Sequence, residues 1–144
     1  MNLLDEFDKQ LASGEIDFRI RRILKYARCN LQRNLSLTQL AMISNVSVWH
    51  TCRLFRAELG LSPGRCIKLM RLTSAADLLA NTSLSVKEVM AAVGINDESH
   101  FVRDFESVVA QSPSQYRIRS HTQKKEPQSR AECQVPPIIA KFRQ

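Results

Sequence analysis

The stretch Leu35-Ser36-Leu37-Thr38-Gln39-Leu40, running on through Asn45-Val46-Ser47-Val48-Trp49-His50, Arg53-Leu54-Phe55-Arg56 and Gly60-Leu61-Ser62-Pro63, decides the fold, because the chain repeats it. Leu84-Ser85-Val86 matches Leu35-Ser36-Leu37, Val89 matches Leu40 and Ile95 matches Val46. Arg103, Phe105, Ser112 and Pro113 then match Arg53, Phe55, Ser62 and Pro63. The offset is 49 residues before the turn and 50 after it, so one residue enters near the start of the second long helix. Ser36 with Gln39 and Ser85 with Glu88 are capping boxes, each opening a short helix. Asn45-Val46 and Gly94 make the turns. Ser47 caps a helix through about Leu59 that Gly60 stops, and Asn96 or Asp97 caps one through about Val109.

Each unit is a capped short helix, a tight turn and a longer helix, the helix-turn-helix plan in which the second helix is offered to the DNA major groove. Any helical hairpin imitates one such unit. Two copies joined by a long helix are far more specific. Ser62-Pro63 starts the joining helix, with Ser as cap and Pro at the first position, and it runs to about Ala80, with Asn81 as terminator. Such a helix is roughly 27 Å long. Plus helix widths, it holds two reading helices over major grooves ~34 Å apart. A monomer can therefore read a target that is not palindromic.

Working outward, Asp17 caps a helix through about Leu31, with Ile20, Ile23, Leu24 and Ala27 as its apolar stripe. Residues 1–16 read as an acidic leader with a short helix on Leu3, Leu4, Phe7 and Leu11. Ser112-Pro113-Ser114-Gln115 opens a last short helix. Residues 120–144, polar with Pro127, Pro136 and Pro137, read as a flexible basic tail in which Val135 to Ile139 is an apolar stretch able to dock. The expected fold is all-α: two helix-turn-helix subdomains joined by a long linker helix, about seven helices, with one lobe over about 17–62, the linker over 63–81 and the other lobe over 82–119.

The 144 residues carry a net charge of +7, unevenly spread. Residues 17–71 hold eleven basic residues against two acids, net +9, whereas residues 72–116 are net −4. Residues 1–16 are net −3 and residues 117–144 net +5. A basic segment releases counterions when it binds nucleic acid. No stretch approaches the ~20 apolar residues of a membrane span, and the N-terminus lacks the apolar core of a secretory signal. The expected location is the cytoplasm, at the nucleoid. Cys29, Cys52, Cys66 and Cys133 form no C-x-x-C pair and read as reduced thiols. His50, His100 and His121 lie far apart, with no catalytic or metal-binding arrangement. An enzyme is the remote reading, and no cofactor is expected.

Asp17-x-Arg19-Ile20, Leu35-Ser36-Leu37, Asn45-Val46-Ser47, Arg53-Leu54-Phe55-Arg56, Glu58-Leu59-Gly60-x-Ser62-Pro63 and Arg71-Leu72 together resemble the AraC/XylS family of bacterial transcription regulators. So do Ala75, Leu78-Leu79, Ser85-Val86-x-Glu88-Val89, Val93-Gly94, Ser99-His100-Phe101-x-Arg103-x-Phe105 and Ser112-Pro113-x-x-Tyr116-Arg117. The resemblance covers about residues 17–119. It implies a seven-helix domain that binds specific double-stranded DNA. The usual effector-binding domain has no room here, so the chain is similar to the small stand-alone members, which respond to no bound inducer.

In the first reading helix the candidates are Trp49, His50, Cys52, Arg53 and Arg56. Arg can fork onto guanine O6 and N7. Trp49 is either a DNA contact or a core indole, and Arg56 either a DNA contact or the partner of Asp17 or Glu58. His50 reads as solvated or phosphate-facing, and Leu54 and Phe55 as core. In the second reading helix the matching positions are Glu98, Ser99, Val102 and Arg103. His100 and Phe101 follow the family signature, where they are mainly structural. Backbone N–H groups near Ser36 and Ser85 are candidate phosphate contacts.

Here the chain departs from the family pattern. Glu106 stands where a basic residue is usual, Ala110 where Gly is usual and Ile95 where Phe is usual, and Glu98 and Asp104 add acid. Acids facing phosphates oppose binding. The expectation is a divided role: residues 36–60 supply most affinity, and residues 85–109 bind weakly or touch RNA polymerase. The leading function is a transcription activator. The alternative is a truncated member acting as an interaction module or antagonist with weak DNA binding, favoured by the acidic second lobe and by Cys66 where the family often has an aromatic.

Overall fold

The computed structural model describes Lys9 and residues 16–123. Apart from Lys9 and Ile16, the acidic leader lies outside the described residues, and so do residues 124–144, Cys133 and the Val135 to Ile139 stretch among them. Residues 16–123 form seven helices: α1 (Phe18–Cys29), α2 (Leu37–Ser44), α3 (Val48–Leu59), α4 (Pro63–Asn81), α5 (Val86–Ala92), α6 (Glu98–Val109) and α7 (Pro113–Gln123).

Local chemistry sets most of their ends. Ser36 Oγ accepts the Gln39 N–H while Gln39 Oε1 accepts the Ser36 N–H, and Ser85 and Glu88 repeat the exchange. Ser47, Ser62 and Asp97 cap α3, α4 and α6, so Asp97 rather than Asn96 is the cap. Helix α4 runs one residue further than expected, with Thr82 rather than Asn81 at its end, and two other ends differ more. Helix α1 stops at Cys29, short of Leu31, because the Asn30 side chain donates to the Tyr26 carbonyl and its N–H turns back to Ala27. Such side-chain bonds to backbone compete with continuation of the helix. Helix α7 continues past Arg119 to Gln123, where His121 Nε2 donates to the Leu79 carbonyl of α4 at 3.2 Å.

Two hydrophobic cores form, one per repeat. Ile20, Ile23, Leu24 and Ala27 of α1 pack with Leu40, Phe55 and Leu59, closed by Cys66, Ile67 and Met70 of α4. Leu72, Ala75, Ala76 and Leu79 of α4 pack with Val89, Met90, Val93, Phe101 and Phe105. Phe55 and Phe105, both 0% exposed, occupy matching positions of the repeat. Burial of such a ring stabilises by about 2–3 kcal/mol. Tyr116 of α7 adds an edge-on contact to Phe105 at 5.6 Å. Burial pushes the Cys66 thiol up to about 12, so it behaves as a small core residue.

Candidate nucleic-acid interface

Both turns need a left-handed residue between their helices. Asn45 has φ 57° and Gly94 φ 76°, the region that Gly and Asn adopt most readily. These turns bury the inner faces of α3 and α6 and leave the outer faces free. On α3 the buried positions are Thr51, Phe55 and Leu59, with Leu54 half-buried against the first core. Trp49, Arg53 and Arg56 are exposed, whereas His50 and Cys52 are half-buried.

Trp49 is 67% exposed, so the core reading of its indole fails: it is the second residue of the helix after the Ser47 cap and projects off the helix start. The Arg53 guanidinium carbon lies 5.3 Å from the Trp49 ring centroid, a cation–π contact between positions four apart. Neither carboxylate expected as a partner of Arg56 is paired with it among the described residues. Asp17 is taken by Arg19 at 2.7 Å, and Glu58 Oε2 accepts the Asp17 N–H at 3.4 Å. Arg56 stands exposed on the same helix as Arg53.

His50 has a neighbour that sequence reasoning does not single out. Arg19 Nη1 donates to His50 Nε2 at 3.3 Å, while Nε and Nη2 of the same guanidinium bind both oxygens of Asp17 at 3.0 and 2.7 Å. A guanidinium has no lone pair to offer, so the imidazole Nε2 is the acceptor here. The Arg19 side-chain and backbone bonds hold the Asp17 carboxyl down to about 2. The only sequence signal for this triad is Asp-x-Arg at a helix cap; the approach of α1 to α3 is tertiary.

On α6, Phe101 and Phe105 are buried, whereas Glu98, Ser99 and Arg103 are exposed and Val102 half-buried. His100 is exposed, with Nδ1 3.1 Å from the Asp97 carboxylate, so it serves the helix start. The His100 N–H bonded to Asp97 lowers that carboxyl. Asp104 departs from the simple charge reading: its carboxylate pairs with Lys68 of α4 at 2.8 Å instead of facing outward as free charge. The exposed acids of α6 are therefore Glu98 and Glu106.

Ser36 and Ser85 are exposed at the starts of α2 and α5, yet the two ends differ. The residue that closes the box is neutral Gln39 in the first unit and Glu88 in the second. The Ser85 N–H holds the Glu88 carboxyl below its ordinary value, so the helix start carries a negative charge. That charge favours the helix dipole and opposes a phosphate at the same place. Among the described residues no cluster of three or more His, Cys, Asp or Glu could hold a metal. No helix there is long and apolar enough to cross a membrane.

A helix-turn-helix domain family matches residues 40–119, more than half of the chain. An uncharacterized HTH-type transcriptional regulator of Haemophilus influenzae is 38% identical over 86 residues, which are 60% of this chain and 29% of that protein. The HTH-type transcriptional activator AarP of Providencia stuartii is 32% identical over 99 residues, 69% of this chain and 73% of AarP. The chain thus spans most of AarP but under a third of the Haemophilus protein. A crystal structure of a transcriptional regulator with an AraC-type DNA-binding domain from Chromobacterium violaceum superimposes with a TM-score of 0.68 at 25% identity, covering 71% of this chain and 91% of that one. On its paired helix-turn-helix units and these likenesses, the chain belongs to the AraC-type helix-turn-helix DNA-binding transcription regulators.

Proposed function

We propose that this protein activates transcription by laying α3 and α6 into successive major grooves of one DNA face, with α3 supplying most of the affinity. The observation that carries this reading is the exposed Trp49–Arg53 pair on α3, backed by Arg56 and by His50 held from behind by Arg19. Nothing on the exposed face of α6 matches it: Arg103 stands there between Glu98 and Glu106. Helix α4 has 19 residues, about 28 Å at the usual rise, in keeping with groove-to-groove spacing. The phosphate grip follows the same division, with Ser36 the better site and Ser85 opposed by Glu88. AarP, by its name, is a transcriptional activator, and that likeness supports the sign of regulation.

The test is selection of tight binders from random duplexes at near-physiological salt. Two enriched blocks about one helical turn (~34 Å) apart are expected, the stronger one under α3. A single block would remove α6 from DNA and leave it for a protein such as RNA polymerase. No enrichment would overturn the DNA reading and favour an interaction module. Activation itself is read from a reporter promoter carrying the selected site, which should rise with the protein present.

A further inference from the structure

The two cores share no residue: on α4 the first ends at Met70 and the second begins at Leu72. The lobes therefore do not fix each other through a common core. Between them lies a cleft of about 340 Å³, lined by Leu35 and Ile67 on one side and by Ile95 and Phe101 on the other. Packing across that cleft is incomplete, so the angle between α3 and α6 rests on α4, which closes both cores, and on contacts beside the cleft.

Two contacts beside the cleft are specific. Gly94, in the second turn, lies against the backbone of the first lobe. A Cβ there would collide with the Leu31 carbonyl oxygen and stand 3.0 Å from Gln32 Cα. On the other side, Lys68, from the half of α4 that closes the first core, holds Asp104 of α6 at 2.8 Å. Asp104 is next to Arg103, and adjacent residues on a helix point about 100° apart. The buried Phe101 and Phe105 set the rotation of α6, and tethering Asp104 to α4 holds it there with Ser99 and Arg103, four apart, on its outer face.

We propose that the Lys68–Asp104 pair, working with the Gly94 contact, is a spacing determinant: it fixes α6 relative to α3 and so selects the separation between the two DNA blocks. This rests on the two-groove reading above. Neither residue needs to touch a base. Breaking the pair leaves α6 held on α4 by the core contacts of Phe101 and Phe105 and loosens its placement there, so target separations that the wild type rejects become acceptable.

The test compares wild type, Asp104→Asn, Lys68→Met and the charge swap Lys68→Asp with Asp104→Lys. Each is titrated on duplexes with the selected separation, with one base pair more or less, and with the α3 block alone. The single variants should lose up to about fivefold of the wild-type spacing preference, the ratio that ~1 kcal/mol of an exposed ion pair corresponds to. Their affinity for the α3 block alone should be unchanged, and the swap should restore the preference. Retained preference in the single variants, or equal loss on every duplex, would overturn the proposal.

A second measurement needs no DNA. Amide residual dipolar couplings of the free chain should fit one alignment tensor for both lobes in wild type and in the swap, and two in Asp104→Asn. One shared tensor in all proteins overturns the clamp even if the two-block reading stands. A wild type indifferent to removal of the α6 block overturns the two-groove reading, and the spacing role with it.

Discussion

Trp49 and Arg53 stand one helical turn apart, and the indole holds the guanidinium 5.3 Å from its centroid before any DNA arrives. Part of the side-chain entropy of binding is thereby already lost in the free protein. Arg53→Ala should weaken binding to the selected duplex by about 1–3 kcal/mol and relax the choice of one base pair. Arg103→Ala, amid the acids of α6, should weaken it by less; fluorescence anisotropy with single-base variants of the duplex reads both. Equal losses would sink the division of labour between the helices. Asp17 gives a pH prediction. Arg19 holds its carboxyl down to about 2 in the folded chain, against 3.8 ordinarily. A lowered folded pKa means stability that is present above the ordinary value and lost as pH falls toward 2. Asp17→Asn keeps a good cap but has no charge to titrate. It should therefore show a shallower loss of stability between pH 5 and pH about 2 in urea unfolding.

Helix ends were legible in the sequence where the cap is local. Ser36, Ser47, Ser62 and Ser85 each accept the backbone N–H three residues on, and that bond depends on sequence spacing alone. Ends set by another part of the chain were not legible. Helix α7 reaches Gln123 because His121 meets Leu79, 42 residues away. One element carries evident strain. Ala110 ends α6 at φ 61°, where its repeat counterpart Gly60 ends α3 at φ 68°. A left-handed backbone costs an L-residue roughly 1–2 kcal/mol, offset in part by the greater freedom of Gly in the unfolded chain. Ala110→Gly should therefore stabilise the protein by about 0.5–1 kcal/mol, raising Tm by a few degrees in a thermal melt. Unchanged or lower Tm would mean the strain is relieved elsewhere.

For the whole molecule, charge extends beyond the helices. Residues 124–144 hold five basic residues against two acids, and α7 ends just before them. A chain ending at Gln123 keeps the bond between His121 and Leu79, so it should fold as before. It should bind non-specific duplex more weakly, with a log K against log salt slope flatter by about 0.9 for each phosphate left unneutralised. An unaltered slope would show that this segment does not touch DNA. The placement of α3 against α6 belongs to this scale as well. It depends on Lys68 meeting Asp104 and on Gly94 meeting Leu31, pairs that are 36 and 63 residues apart.

The sequence by itself determined the all-helical fold and its doubled plan, because caps, turns and apolar stripes act over three or four residues. It also determined which residues of α3 were candidates to face DNA, since Phe55 and Leu59 claim the opposite side. Only the tertiary structure decided that Trp49 is exposed rather than core. It alone paired Arg19 with His50 and turned Asp104 away from the outer face of α6. Those outcomes depend on how α1 and α4 pack against the reading helices. The repeat records what each unit is, but the distances between units come from packing.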